Sequence, residues 1–284
     1  MSMEHSPAEP RHPTVWLKPG LLIVFGATLE AKSHKHHPIQ VVWPTGQKSI
    51  CRHNDLIAHG AVIVQSRVAH QLTMDSGWVM LVEPQSALGA RLSHMLGNQV
   101  MLALQELPTA SPLIPRAEDD PAARLVDLFG ALGMKQEFLA QSTGNTASTV
   151  ADERLRTLLR NLDECLSGAC LKPASWRAAE VARSLSLSEG RFLHLFREQM
   201  HIPWRPYLLW RRLICAVNAL ARGASATEAA YGAGFSDSAH LSRTCSASTI
   251  LAGSATINLA GCAEPMKPAF WQTVSFDSCH PRTG

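Results

Sequence analysis

The chain has 284 residues, of which 46% are hydrophobic and 17% charged. That length and balance suit two ordinary globular domains and exclude a disordered or fibrous chain. The formal charge of +3 is small until it is divided. Residues 1–120 hold nine Lys/Arg against ten Asp/Glu, 121–170 five against six, 171–243 ten against five, and 244–284 two against two. The excess of positive charge thus lies in one segment, as phosphate neutralisation requires. No apolar run reaches the length of a membrane span, and residues 1–13 lack the apolar core of a secretion leader. A cytoplasmic protein without membrane attachment is expected. The seven Cys are odd in number, with no CxxC pair and no zinc spacing. They read as reduced, structural thiols.

In chain order, residues 1–13 read as an irregular terminus. Short β-type runs follow at 21–29, 39–43, 61–65, 71–73 and 79–82. They are broken at Lys18-Pro19-Gly20, Trp43-Pro44-Thr45-Gly46 and Asp75-Ser76-Gly77. Many short strands close together predict a small barrel or sandwich. Within it lies His34-Lys35-His36-His37-Pro38-Ile39-Gln40, and later a lone His70. On a strand His34 and His36 would share a face. This set resembles a degenerate cupin, with Gln40 where that family usually carries Glu and without the Pro-x-Gly turn before the last His. The resemblance implies a β-barrel whose mouth takes a small organic effector, with His34, His36, Gln40, Trp43 and His70 as candidate lining residues. Trp43 and Trp78 also fit a core. No cofactor and no metal are expected, although His34, His36 and His70 could hold a divalent transition metal, with Gln40 or water completing the shell.

From 86 to 105 the pattern turns helical, with Leu88, Leu92, Met95, Leu96, Val100 and Leu104 near the 3.6 period. Residues 107–120 are Pro-rich and then acidic, and read as a linker. Pro121 suits the first position of a helix that carries Leu125, Leu128, Phe129 and Leu132. A second stripe follows in 152–166, with Leu155, Leu158, Leu159 and Leu162; Gly144-Asn145-Thr146 separates the two. These helices fit a dimer surface, a cap on the barrel or ordinary core.

The most informative stretch runs from 175 to 243. Ala178, Val181, Ala182 and Leu185 give one helix a small apolar side. Ser188 suits an N-cap, and Phe192, Leu195 and Phe196 form the inward side of the next helix, leaving Arg191, His194 and Arg197 outward. This is a helix-turn-helix pattern. Residues 227–243 repeat it, with Ser236-Asp237-Ser238 as the cap and Arg243 placed 49 residues after His194. Between them, after Pro203, Tyr207, Leu208, Trp210, Leu213, Ile214, Val217 and Leu220 line one side of a connecting helix. Arg205, Arg211 and Arg212 fall near its polar side, as candidates for phosphate contact. Two such units on a rigid spacer can meet successive major grooves, roughly 34 Å apart.

The segments 205–213, 223–230 and 234–243, with Ala216 and Leu220, resemble the DNA-binding domain of the AraC/XylS family of bacterial transcription regulators. The resemblance covers roughly a quarter of the chain. It implies an α+β protein: a cupin-like β-barrel plus helices at the N-terminus and an all-α domain with two helix-turn-helix units at the C-terminus. The implied division is 14–106 for the sensor domain, 107–170 for linker and amphipathic helices, 171–243 for the DNA-binding domain and 244–284 for an atypical tail. By position in that pattern, the first unit offers Glu189, Gly190, Arg191 and His194 to the groove, and the second Ser238, Ala239, His240 and Arg243. Family members often carry a larger side chain at the place of Gly190 and Arg at that of His194. Base readout by the first unit is therefore expected to be weak, with Arg191 or Arg197 gripping phosphates instead. Double-stranded DNA and a small-molecule effector are the implied partners; RNA polymerase and a second copy of the chain are candidates.

After Thr244 the pattern fails. Phe, a basic helix and a Ser-Pro element are replaced by Cys245-Ser246-Ala247-Ser248-Thr249 and a segment without charge to Ala263. A reading frame shifted near codon 245 would account for this and would leave the second unit truncated, with weakened DNA binding. A sequence-specific, activating regulator is the leading reading. A cupin-type metal-dependent enzyme with an appended helical domain is the alternative, and a regulator defective in DNA binding is a third. No GxSxG, P-loop or HExxH motif supports catalysis.

Overall fold

The computed structural model describes residues 14–113, 115, 120–134, 150–167, 176–247 and 272–274. The strands are β1 (Thr14–Lys18), β2 (Leu21–His34), β3 (Ile39–Pro44), β4 (Ser49–His53), β5 (Leu56–His59), β6 (Val62–Val64), β7 (His70–Val82), β8 (Met101–Ala103) and β9 (Gln272–Val274). The helices are α1 (Ala87–Leu96), α2 (Pro121–Arg124), α3 (Val126–Ala131), α4 (Glu153–Ser167), α5 (Ala178–Ser184), α6 (Glu189–Met200), α7 (Trp204–Ala221), α8 (Ala226–Gly232) and α9 (Ser238–Ala247).

The strands form one antiparallel sheet in the order β8-β6-β3-β7-β2-β1-β9, with the β4–β5 hairpin hung on β7. β7 organises it. Its first part pairs with β4 over Gln71–Met74 and its second with β3 over Gly77–Val82, while β2 runs along both. Asp75-Ser76-Gly77, expected to end a strand, instead marks where β7 changes partner without ending. Gly77 is required there, because a Cβ would lie 2.6 Å from the Trp43 carbonyl oxygen. β1 and the β4–β5 pair were not legible in the sequence, and β8 replaces the end of the expected 86–105 helix, which stops at Leu96.

Alternation along the strands buries both faces. One face carries Val15, Leu17, Leu22, Val24, Val42, Leu72 and Leu81, and forms a single apolar cluster with Trp210, Leu213 and Ile214 of α7. The other carries Trp16, Ile23, Phe25, Val41, Trp43, Trp78 and Met80. It is covered by Leu88 and Leu92 of α1 and by Leu125, Leu128 and Phe129 of the 121–131 segment. The segment after β8 is pinned to that face: Trp43 Nε1 donates to Pro108 O at 2.7 Å and Ala110 N to Pro44 O at 2.7 Å. The second leucine stripe goes elsewhere. Leu155, Leu158, Leu159 and Leu162 pack with Phe192, Phe196, Trp204 and Tyr207 in a third cluster. The Gly144-Asn145-Thr146 break lies outside the described residues.

One buried ion cluster fastens these parts together. Arg211 on α7 reaches Glu83, just after β7, at 3.0 Å and Asp163 on α4 at 2.8 Å, with side-chain exposures of 3%, 1% and 11%. Trp210 Nε1 donates to the same Glu83 oxygen at 2.8 Å. Removing one member of a buried pair leaves an uncompensated charge. Glu83→Ala should therefore destabilise the chain by about 3–5 kcal/mol, seen as a lowered midpoint in urea unfolding followed by tryptophan fluorescence.

Candidate nucleic-acid interface

The first helix-turn-helix unit is α5 followed by α6. Its turn is held by Leu187 N donating to Ala182 O at 2.9 Å and Ser186 N to Arg183 O at 3.1 Å, with Ser186 left-handed at φ 56°. The second, α8 followed by α9, repeats these bonds: Phe235 N to Ala230 O at 2.9 Å and Gly234 N to Tyr231 O at 3.0 Å, with Gly234 at φ 82°. The repeat spacing is thus 48 residues through the first helix and turn. It becomes 49 only at the caps, Ser188 and Asp237, because the second turn is one residue longer. Ser188 Oγ accepts from Arg191 N at 3.3 Å, and Asp237 Oδ1 accepts from His240 N at 2.6 Å. That backbone bond is the main reason the Asp237 carboxyl is held below its ordinary range. α8 has a capping box between Ser225 and Glu228, a signal present in the sequence as Ser-x-x-Glu and missed there.

Both second helices show the same division. In α6, Phe192, Leu195 and Phe196 are buried, while Glu189, Gly190, Arg191, His194 and Arg197 are exposed. In α9, Leu241 and Thr244 are buried, while Ala239 and Arg243 are exposed and Ser238 and His240 half-buried. His240 is engaged locally: its Nδ1 lies 3.1 Å from Ser236 Oγ, and its ring meets Phe235 edge-on. A groove of about 1270 Å³ runs between α5–α6 and the start of α7, lined by Arg177, His194, Arg197, Arg205 and Arg212 together with exposed Leu193 and Leu209.

Arg211 must be corrected. The expectation placed it on the polar side of α7, as a phosphate contact. It is 2% exposed and bound to two carboxylates, so it cannot reach a phosphate in this structure. Arg212 is half-buried, with its guanidinium packed on Gly234 of the second turn. Arg205, in the first turn of α7, is the exposed arginine of the three.

The candidate effector residues also divide. His34, His36 and His70 come together, with metal-ligating atoms all within 4.8 Å of one another. Gln40 joins them, its Oε1 lying 2.8 Å from His36 Nε2 and 3.3 Å from His70 Nε2. Burial lowers all three imidazoles, His36 to about 4 and His70 to about 3. Trp43 is not with them. It lies an odd number of residues from Gln40, hence on the opposite face of β3, buried in the core with Leu88 and Leu92 of α1. A separate cavity of about 270 Å³ lies between the sheet and α7, lined by Lys35, His36, His37, Arg67, Ile202, Pro206, Leu209, Trp210 and Leu213. Of the five candidates, His36 alone is among its lining residues. The cavity was not legible, because its two walls are more than 130 residues apart in sequence. Cys51, buried beside Met101, has its thiol pushed up to about 12 by burial.

Residues 181–252 match the family described as a helix-turn-helix domain, here of the AraC type. The match extends past the residue at which the sequence pattern was expected to fail, and α9 continues to Ala247. No curated protein matches the chain. Among solved structures, an apo ToxT variant from Vibrio cholerae is similar at 10% identity and a TM-score of 0.42, covering 80% of this chain and 94% of that one. Another ToxT structure from Vibrio cholerae gives 12% and 0.41, covering 83% and 92%. The AraC-like transcriptional activator CuxR gives 14% and 0.28, covering 73% and 80%. Likeness at this level assigns nothing further.

Among the described residues, no helix is long and apolar enough to cross a membrane. Ser188→Ala should cost about 1 kcal/mol through loss of the α6 cap, with Ser188→Asp restoring most of it. Thermal unfolding followed by circular dichroism checks both variants.

Proposed function

We propose, from the AraC-type helix-turn-helix domain in its C-terminal region, that this chain is a sequence-specific DNA-binding transcription regulator answering to a small-molecule effector. One observation carries this reading. Two capped helices with matching turns hold Arg191 and Arg243 outward on buried anchors, and they flank a single 18-residue rod. At 1.5 Å per residue that rod is roughly 27 Å long, close to the roughly 34 Å repeat of successive major grooves on one face of DNA. Arg243 and Arg191 are assigned to base edges, where a guanidinium can pair with guanine in two places. Arg197 and Arg205 are assigned to phosphates, which give affinity and register without sequence choice. His194, Glu189 and Gly190 complete the first reading surface, and Ser238, Ala239 and His240 the second.

The effector site is assigned to the cavity between the sheet and α7. Lys35 and Arg67 supply positive charge, and Ile202, Leu209, Trp210 and Leu213 supply an apolar wall. That combination suits a small molecule with an anionic group and an apolar body. A ligand there touches the sheet domain and the rod at once, so it can bias how the rod is held. Double-stranded DNA, this effector and RNA polymerase are the partners on this reading, a second copy of the chain is a further candidate, and the cytoplasm is the compartment.

Selection of bound sequences from random duplex DNA tests the reading. A defined motif with two parts about one helical turn apart is expected, and recovery without any motif would overturn it. On the selected site, Arg243→Ala should weaken binding by about 1–3 kcal/mol and relax one base position. Arg197→Ala should weaken all sequences alike and lower the salt slope by about one. Both are read by fluorescence anisotropy across a salt series.

A further inference from the structure

A second cavity, of about 490 Å³, lies where the sheet domain meets the end of α6. The connection from β6 to β7 gives it Gln65 and Arg67, and the end of α6 gives it Gln199 and His201. It adjoins the effector cavity, with which it shares His37, Arg67 and Ile202. Its chemistry differs, because no carboxylate is among its described lining residues and its donors outnumber their partners. Gln199 Oε1 accepts from Asp152 N at 2.9 Å, and Gln65 Oε1 accepts from Ser66 N at 3.1 Å. A backbone N–H can only donate, so each bond fixes which end of the carboxamide is oxygen. Both NH₂ groups are left without a partner among the described residues, and so is the guanidinium of Arg67.

The backbone points the same way. Among the described residues, four that are not glycine have a left-handed φ: Asn54, Arg67, Ser186 and His201. Asn is an ordinary choice there, and Ser186 belongs to the turn of the first reading unit. The other two, Arg67 at φ 62° and His201 at φ 52°, line this cavity, one from each domain. Each holds a basic side chain where Gly or Asn is the less strained choice. Such strain persists at places that bind or switch. α6 ends here, and its last carbonyls carry partial negative charge. Gln85 Nε2 covers one of them, Met200 O, at 2.6 Å. The charged end of an anion therefore belongs on the Arg67 side.

We propose that this cavity binds a compact organic oxyanion, a phosphate monoester or a polycarboxylate, at a site separate from the effector cavity. The ionised oxygens of such a molecule accept hydrogen bonds, which matches a guanidinium and two NH₂ groups that only donate. The volume lies within the range of small-molecule sites. Bound there, the anion ties the β6–β7 connection of the sheet domain to the end of the first reading helix. The proposal is independent of the DNA-binding reading, because binding is measured on the protein alone.

The test is isothermal titration calorimetry of the full chain with glycerol 3-phosphate and with citrate at constant ionic strength, and with glycerol as the neutral control. One site per chain with a Kd of about 1 mM or tighter is expected for at least one anion, and none for glycerol; which anion binds tells the phosphate ester from the polycarboxylate. Gln199→Glu and Gln65→Glu keep the oxygen that faces the backbone N–H and lose only the NH₂ donor, so each should weaken binding at least about tenfold. Arg67→Asn should weaken it by about 10–100-fold without lowering Tm, because Asn suits the left-handed backbone. Lys35→Gln removes a charge that lines the effector cavity and not this one, and should leave anion binding unchanged. Circular dichroism melts establish that each variant is folded. No binding of either anion up to about 10 mM, or glycerol binding as well as they do, would overturn the proposal. So would unchanged affinity in both folded Gln→Glu variants, or loss of binding in Lys35→Gln, which would put the anion in the effector cavity.

Discussion

The contact on which the arrangement depends is the buried meeting of Arg211 with Glu83 and Asp163. A guanidinium taken out of water must find acceptors in fixed directions, or its desolvation is not offset. Here one acceptor comes from the end of the strand that runs through the middle of the sheet, and the other from the helix that packs on the first reading unit. Trp210 adds a bond to the same Glu83 oxygen. Three elements are thereby held in one mutual orientation. An apolar seam could slide by a fraction of a turn, but this cluster tolerates little displacement without stranding a charge.

That constraint gives the rod its double role. Its first turns belong to the core of the first unit through Trp204, Tyr207 and Leu208, and its middle joins the core shared by the sheet and the second unit through Trp210, Leu213 and Ile214. The sheet domain's hold on Arg211 is thus a hold on the helix against which both units pack. The cavity beside Trp210 opens at this junction of sheet domain and rod. β9 extends the same connection, since residues 272–274 pair along β1 and bring a piece of the tail back to the sheet.

Much of the helical domain was legible because its signals are local. Ser188 as a cap, the small side of α5, the aromatic anchors Phe192 and Phe196 and the apolar stripe of α7 all follow from spacing within a dozen residues. What was missed depended on long-range pairing. Arg211 sits at the margin of a stripe and reads as a solvent-facing base; its partners lie 128 and 48 residues away, and no periodicity connects them. β7 was divided in two because Gly77 reads as a breaker, whereas the close crossing of Trp43 demands it. Trp43 was placed near the histidines by proximity in sequence, although strand alternation sends it to the far face. The histidines themselves were found because His34, His36 and His70 fit a known arrangement, and the structure does bring them within 4.8 Å of one another.

Hydrogen exchange on the wild-type chain and on Arg211→Met tests the central role of this cluster most directly. Loss of protection is expected together in the last residues of β7, in α4 and in α7, because one group holds all three. Unchanged protection of β7 and α4, with loss confined to the turn of α7 that carries residue 211, would contradict it.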